Sequence, residues 1–218
     1  MVAEMGSGPA QTQAGYAHAQ IRKAIINGEF TSGDRLLQAE LAKQLNISVT
    51  PVREALSRLK EEGLIESVPH RGTTVAKLNI EQAEEIYAMR KPLEPILIRR
   101  NIDSIPDEDL ARAARLIDKM KATDDLLTFT AINEDFHGIT MGYDNSWTSR
   151  IVQQLAGIAS PYVSFSLRLY PEQIEESHRA HEAILSAAAD RDVERFIELE
   201  VAHLESTLVI LRKLGDRV

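Results

Sequence analysis

The pattern of apolar and polar positions divides this chain into a short mixed segment and a long helical one. In QAELAKQL the apolar residues fall at Leu41, Ala42 and Leu45, the i, i+3, i+4 spacing of a helix with one buried face. Asn46-Ile47-Ser48 is short and polar, a turn. Thr50-Pro51 restarts a helix, with a hydroxyl to cap orphan N–H groups and proline at the first helical position. Val52, Leu56 and Leu59 form its inner stripe and Gly63 stops it. Residues 64–68 and 73–76 are β-prone runs around the turn Pro69-His70-Arg71-Gly72, which predicts a hairpin. From Asn79 onward strand alternation nearly vanishes. Asn79 and Gln82 stand in the places of a capping box. Helices are predicted at about 80–100, 107–121, 125–141, 146–169, 172–189 and 191–214. Pro92 and Pro95 should kink the first of these. Short breaks between long helices predict antiparallel neighbours.

The expected fold is therefore mainly α. A disordered tail covers residues 1–15, a winged helix-turn-helix 16–78, and an all-helical antiparallel bundle 79–218.

The second helix of the first domain can lie in a DNA major groove. Arg53, Ser57 and Lys60 follow i, i+4, i+7 on the side away from Val52 and Leu56. An arginine near the amino end of such a helix can reach a guanine edge through two hydrogen bonds. Ser48, Val49 and Thr50 open that helix, and Arg35 precedes the pair as a further cation. His70, Arg71 and Gly72 make a cationic hairpin tip suited to phosphate or minor-groove contact. A protein-binding module of the same shape is the alternative.

Charge narrows the picture. The 218 residues carry a net charge of −8. Residues 1–78 hold nine basic and eight acidic side chains, and the remainder hold sixteen and twenty-five. The acidic excess thus sits in the bundle, which keeps that part off DNA. A near-neutral reading head attracts phosphate weakly, which favours a homodimer with two sets of contacts. No apolar run reaches the length of a membrane span, and no signal peptide opens the chain. There is no cysteine, so disulfides and thiolate metal sites are excluded. A cytoplasmic location is expected.

Histidines mark the bundle. Asn133 and His137 stand four apart and share a helix face, His181 sits mid-way along the next-to-last helix, and His203 lies on the last. Imidazoles converging from three helices suit a transition metal, whereas each taken singly reads as a satisfied core or surface histidine.

The run GEFTSGDRLLQAELAKQLNISVTPVREALSRLKEEGLIESVPHRGTTV resembles the amino-terminal winged helix of the GntR family of bacterial transcription regulators. The segments INEDFH, SHRAHEAILSAAADRDVERFIELEVAHLEST and MRKPLEPILIRR resemble the FCD ligand-binding domain of its FadR branch. The resemblance implies a dimer on a palindromic double-stranded operator, with Arg53 reading bases and the wing tip in the minor groove. It implies one divalent transition metal per chain (Zn, Ni, Fe or Mn) on Asn133, His137, His181 and His203. It also implies a small carboxylate effector and, by default, repression that the effector relieves. Arg90 and Glu94 match the family's R-x-x-L-E segment. Arg90 is expected either to meet the effector or to pair with Glu94, and Arg168, Tyr162, Tyr170 and His178 are further candidates for the pocket.

Two positions depart from the pattern. Val49 stands where many members have arginine, so the operator cannot be transferred from relatives. Asn133 stands in an aspartate place, which should weaken metal binding and leave the divalent charge uncompensated by the protein; Glu134 is the substitute ligand. A different class remains open: Glu134-x-x-His137 and Glu200-x-x-His203 are di-iron signatures, with Glu94 and Glu182 as nominal bridges. That alternative is a metal-dependent helical-bundle enzyme fused to a winged helix.

Overall fold

The computed structural model describes residues 12–68, 72–77 and 79–215. The chain divides into two compact units, at Lys77 and Leu78. Among the described residues the first unit holds α1 (Gln13–Ile26), α2 (Gln38–Leu45), α3 (Val49–Glu61) and the strands β1 (Ile65–Val68) and β2 (Gly72–Val75). The second holds α4 (Ile80–Asn101), α5 (Asp107–Lys121), α6 (Leu126–Thr140), α7 (Trp147–Leu169), α8 (Gln173–Ala189) and α9 (Val193–Gly215).

In the first unit α1 and α2 pack on α3. Ala17, Ile21 and Ile25 of α1 and Val52, Ala55 and Leu59 of α3 are fully or almost fully buried. Thr12 caps α1 by accepting from the Gly15 N–H at 3.1 Å. Residues 13–15, expected within a disordered tail, are therefore helical. Asn46 ends α2 in the left-handed region, with φ 54, which makes the tight turn into α3. That helix begins at Val49 with Ser48 as its cap residue, two positions before the Thr50-Pro51 start the sequence suggests. Pro51 fits because the first-turn N–H groups have no intrahelical partner to lose. The wing pairs antiparallel, from Ile65 with Val75 to Val68 with Gly72. Gly72 opens β2 at φ 79, a conformation that favours glycine.

In the second unit α4 packs on α7 and α9, α5 on α6 and α8, and α8 on α9. Asn79 Oδ1 accepts from the Gln82 N–H at 3.0 Å, capping α4 as expected. Asp125 and Ser146 do the same for α6 and α7. The α4 helix continues through Pro92 and Pro95, each of which forfeits one main-chain bond. One core gathers Leu97, Ile117, Phe129, Phe136, Ile184 and Phe196; a second gathers Tyr87, Leu155, Tyr162, Leu204 and Leu208. The turn between α8 and α9 is held by Arg191, itself at φ 56. Its guanidinium donates to the Ile102 and Ile105 carbonyls at 2.5 and 2.7 Å, and to Asp107 at 2.9 Å.

Candidate functional site

The α3 helix turns Val52, Ala55, Leu56 and Leu59 inward and leaves Arg53, Ser57 and Lys60 exposed. Ser48, Val49 and Thr50 are exposed at its amino end, Val49 by 42%. Val49 and Arg53 are one turn apart, so an apolar surface and a two-pronged donor share the outer face. Arg58 is also exposed on α3, a cation passed over in the sequence because the i, i+4, i+7 stripe skips it. Arg35 is exposed and its main chain bridges Thr74 of β2, which stands it beside the wing. His70 and Arg71 lie outside the described residues.

Three of the four bundle histidines come together. His137 on α6, His181 on α8 and His203 on α9 each offer a ring nitrogen within 4.8 Å of the others. Their ring centroids are 5.2, 5.2 and 4.9 Å apart, and Phe136 packs 4.8 Å from His181. His181 is fully buried, and neither of its nitrogens has a hydrogen-bond partner. Burial, together with the neighbouring imidazoles, drives His181 well below the usual histidine value. His203 falls to about 4 for the same reasons. Neutral rings at His181 and His203 are the donor state a metal requires. Asn133, one turn before His137, lines the cavities beside that histidine; Glu134 is exposed and lines the larger.

Two cavities of about 450 and 190 Å³ meet at this point, and Arg90, Asn133, His137 and Val163 line both. The larger adds Tyr143, Gln153 and Gly157, and the smaller adds His203 and Thr207. Tyr143 is kept a protonated donor because burial raises its phenol. Arg90 is buried and donates from Nε to Glu94 Oε1 at 2.7 Å. Arg90 therefore pairs with Glu94, as one of its two alternatives had it, and also lines the cavities. Burial pushes the Glu94 carboxyl up, against the pull of Arg90.

Three effector candidates are placed elsewhere. Tyr162 packs in the second core, where burial raises its phenol and the Asn79 main chain hydrogen-bonds it. The Arg168 guanidinium lies over the Phe165 ring at 4.9 Å. His178 is buried against Phe129, with ring centroids 5.7 Å apart. None of the three lines either cavity. An aromatic or long cationic side chain packs against its own bundle as readily as it faces a ligand.

The sequence also misjudged Glu200. It is completely buried, and its Oε1 lies 3.1 Å from His137 Nδ1. Burial pushes this carboxyl up, but His137 and His203 outweigh that and hold it below the usual value. A carboxyl group that the sequence did not weigh as a charge partner therefore stands beside the cluster.

A DNA-reading winged helix joined to an all-helical second unit defines the class, a DNA-binding transcription regulator. Residues 14–75 match the family model for bacterial regulatory proteins of the gntR family and residues 85–206 match the FCD domain, so the chain belongs to the GntR family and carries an FCD domain. It is 28% identical to the transcriptional repressor GlaR of Escherichia coli over 88% of this chain and 93% of that one. It is 26% identical to the E. coli repressor RspR over 98% and 95%. A match to the Bacillus subtilis regulator YdhC, 28% identical, spans 58% of each chain. Among solved structures, a GntR-family regulator of Pseudomonas syringae pv. tomato has a TM-score of 0.55 at 27% identity, over 97% of this chain and 90% of that one. E. coli McbR/YncC reaches 0.74 at 23% identity over 94% and 99%, a likeness of fold. Both matched domains are those of regulators that act by binding DNA, so the fused-enzyme alternative has no support. No helix among the described residues is long and apolar enough to cross a membrane.

Proposed function

We propose that this chain is a homodimeric repressor whose grip on a palindromic operator is set by a small carboxylate, bound in the FCD domain beside a divalent transition metal. The observation that carries the reading is the convergence of three imidazoles, two of them buried, with both His181 nitrogens unpartnered. Buried polar atoms are almost always satisfied, and a cation bound through one of these nitrogens accounts for that one. His137, His181 and His203 would hold it, with the Asn133 amide oxygen as a neutral fourth donor. Bound there, the metal supplies a positive charge and a Lewis-acidic anchor for a carboxylate. Around it Arg90, Gln153 and Tyr143 supply donors on the cavity walls, while Val163 and Gly157 leave room for a short carbon chain. Zn, Ni, Fe and Mn all accept such donors. Repression is supported by the names of the relatives GlaR and RspR. Control follows if the carboxylate binds one arrangement of the dimer better than the other, since operator affinity then shifts by that difference.

Elemental analysis of the purified protein tests the reading, with one ion per chain expected. Excess Zn2+ at a hundred times its dissociation constant should stabilise the fold by about 2.7 kcal/mol. That raises the melting temperature by roughly 5–10 °C, and a chelator should reverse it. A melting curve indifferent to both would end the metal reading.

Gly157 gives the cavity its own test. A Cβ built there meets nothing within 4 Å, and the residue lies inside α7, where a larger side chain also favours helix. Gly157→Leu should abolish the response of operator binding to small carboxylates while leaving metal content and operator affinity unchanged. A full response, read by fluorescence anisotropy on operator DNA, would place the effector elsewhere.

A further inference from the structure

Glu200 is buried where a carboxylate costs most, and the family assignment does not use it. It lies on α9 one turn before His203, and neither of its oxygens makes a hydrogen bond of good geometry. Its Oε1 lies 3.1 Å from His137 Nδ1. The other buried ionisable pair beside the cluster is Arg90 with Glu94. Arg90 is thus answered by Glu94, and neither oxygen of Glu200 is hydrogen-bonded. A buried carboxylate in that state is a net cost to folding unless something positive completes it. Among the described residues, the group whose donor atoms lie close enough to share an ion is the three histidines, without Glu200. Glu200 thus stands outside the ring of donors and against one member of it. From there a carboxylate can take the proton of a ligand histidine's far nitrogen, which fixes the tautomer and raises ligand basicity.

We infer that Glu200 is the positioning residue of this metal site: it accepts the Nδ1–H of His137, turns Nε2 toward the cation, and supplies the negative charge that Asn133 does not. The inference rests on the metal reading above and deepens it.

The test is a competition titration of Zn2+ and Co2+ against a chromophoric chelator, on the full chain and on Glu200→Gln and Glu200→Asp. The Gln variant should bind about 10–100-fold more weakly, with the Asp variant between it and the parent. The Co2+ absorption bands should keep their intensity, because the donor set is intact. The metal-free Gln variant should melt no lower than the parent, since a buried carboxyl without a hydrogen bond has gone. Equal affinities would overturn the inference. So would a metal-free Gln variant that melts lower, the mark of a purely structural role. Co2+ bands of altered intensity would make Glu200 a direct ligand and overturn it as well. Should the Gln variant not fold, the Asp variant decides by the same affinity comparison. A parent chain that binds no metal fails the earlier reading first, whereas a tight parent with unchanged variants fails this one alone.

Discussion

His181→Ala should lose the bound metal and with it any response to small carboxylates, yet still bind operator DNA. His181 is the innermost of the three donors and is completely buried. Both its nitrogens lack hydrogen-bond partners, so one of them is open to a ligand role. Altering residues behind a ligand costs about 10–100-fold in metal affinity, and removing the ligand itself should exceed the upper end of that range. The fold should survive. Truncation leaves a cavity against Phe136, but it also removes two unsatisfied buried nitrogens, each worth about 1–3 kcal/mol. These terms oppose one another, so the metal-free variant should stay close to the parent in stability. The reading head is a separate compact unit, so its operator affinity without effector should hold. Metal content by mass spectrometry and anisotropy on operator DNA, with a panel of mono- and dicarboxylates, are the measurements. A full complement of metal in the variant would sink the site.

Arg53→Ala should cost roughly 1–3 kcal/mol on the specific operator and much less on random DNA. Arg53 is the fifth residue of α3, exposed, and one turn beyond Val49. At that depth the guanidinium can fork onto a base edge. Lys60, near the other end of the helix, is placed for phosphate. Lys60→Ala should therefore weaken both DNAs alike and lower the salt slope by about one. Equal losses for Arg53→Ala on both DNAs would refute base reading.

The bundle was legible because its helices carry plain breaks. The 107–121 segment coincides with α5, and α8 begins at Gln173 against an expected 172. The start of α3 was misplaced because proline is tolerated anywhere in a first helical turn. The histidine cluster could be read since its members sit on three helices that must pack on one another. His181 lies eight residues before Ala189 and His203 ten after Val193, and helix stagger absorbs the difference. The burial of Glu200 could not be read. A glutamate one turn before a histidine looks the same on a solvated face, and only the rotation of α9 decides which way it points. Tyr162, Arg168 and His178 show the same ambiguity from the other side. Each has chemistry fit for a ligand and a position that gives it to packing.

The Arg191 clamp sets a limit on how this chain can vary. His181 and His203 approach each other across a turn whose arginine is tied to the loop after α4. An extra residue in that turn would rotate one helix by about 100° relative to the other, carrying one imidazole off the shared face and Glu200 with it. Insertions should be tolerated between α5 and α6, where Thr123 and Asp124 lie outside the helices, but not between α8 and α9. In this protein the length of a surface turn is part of what brings the three imidazoles together.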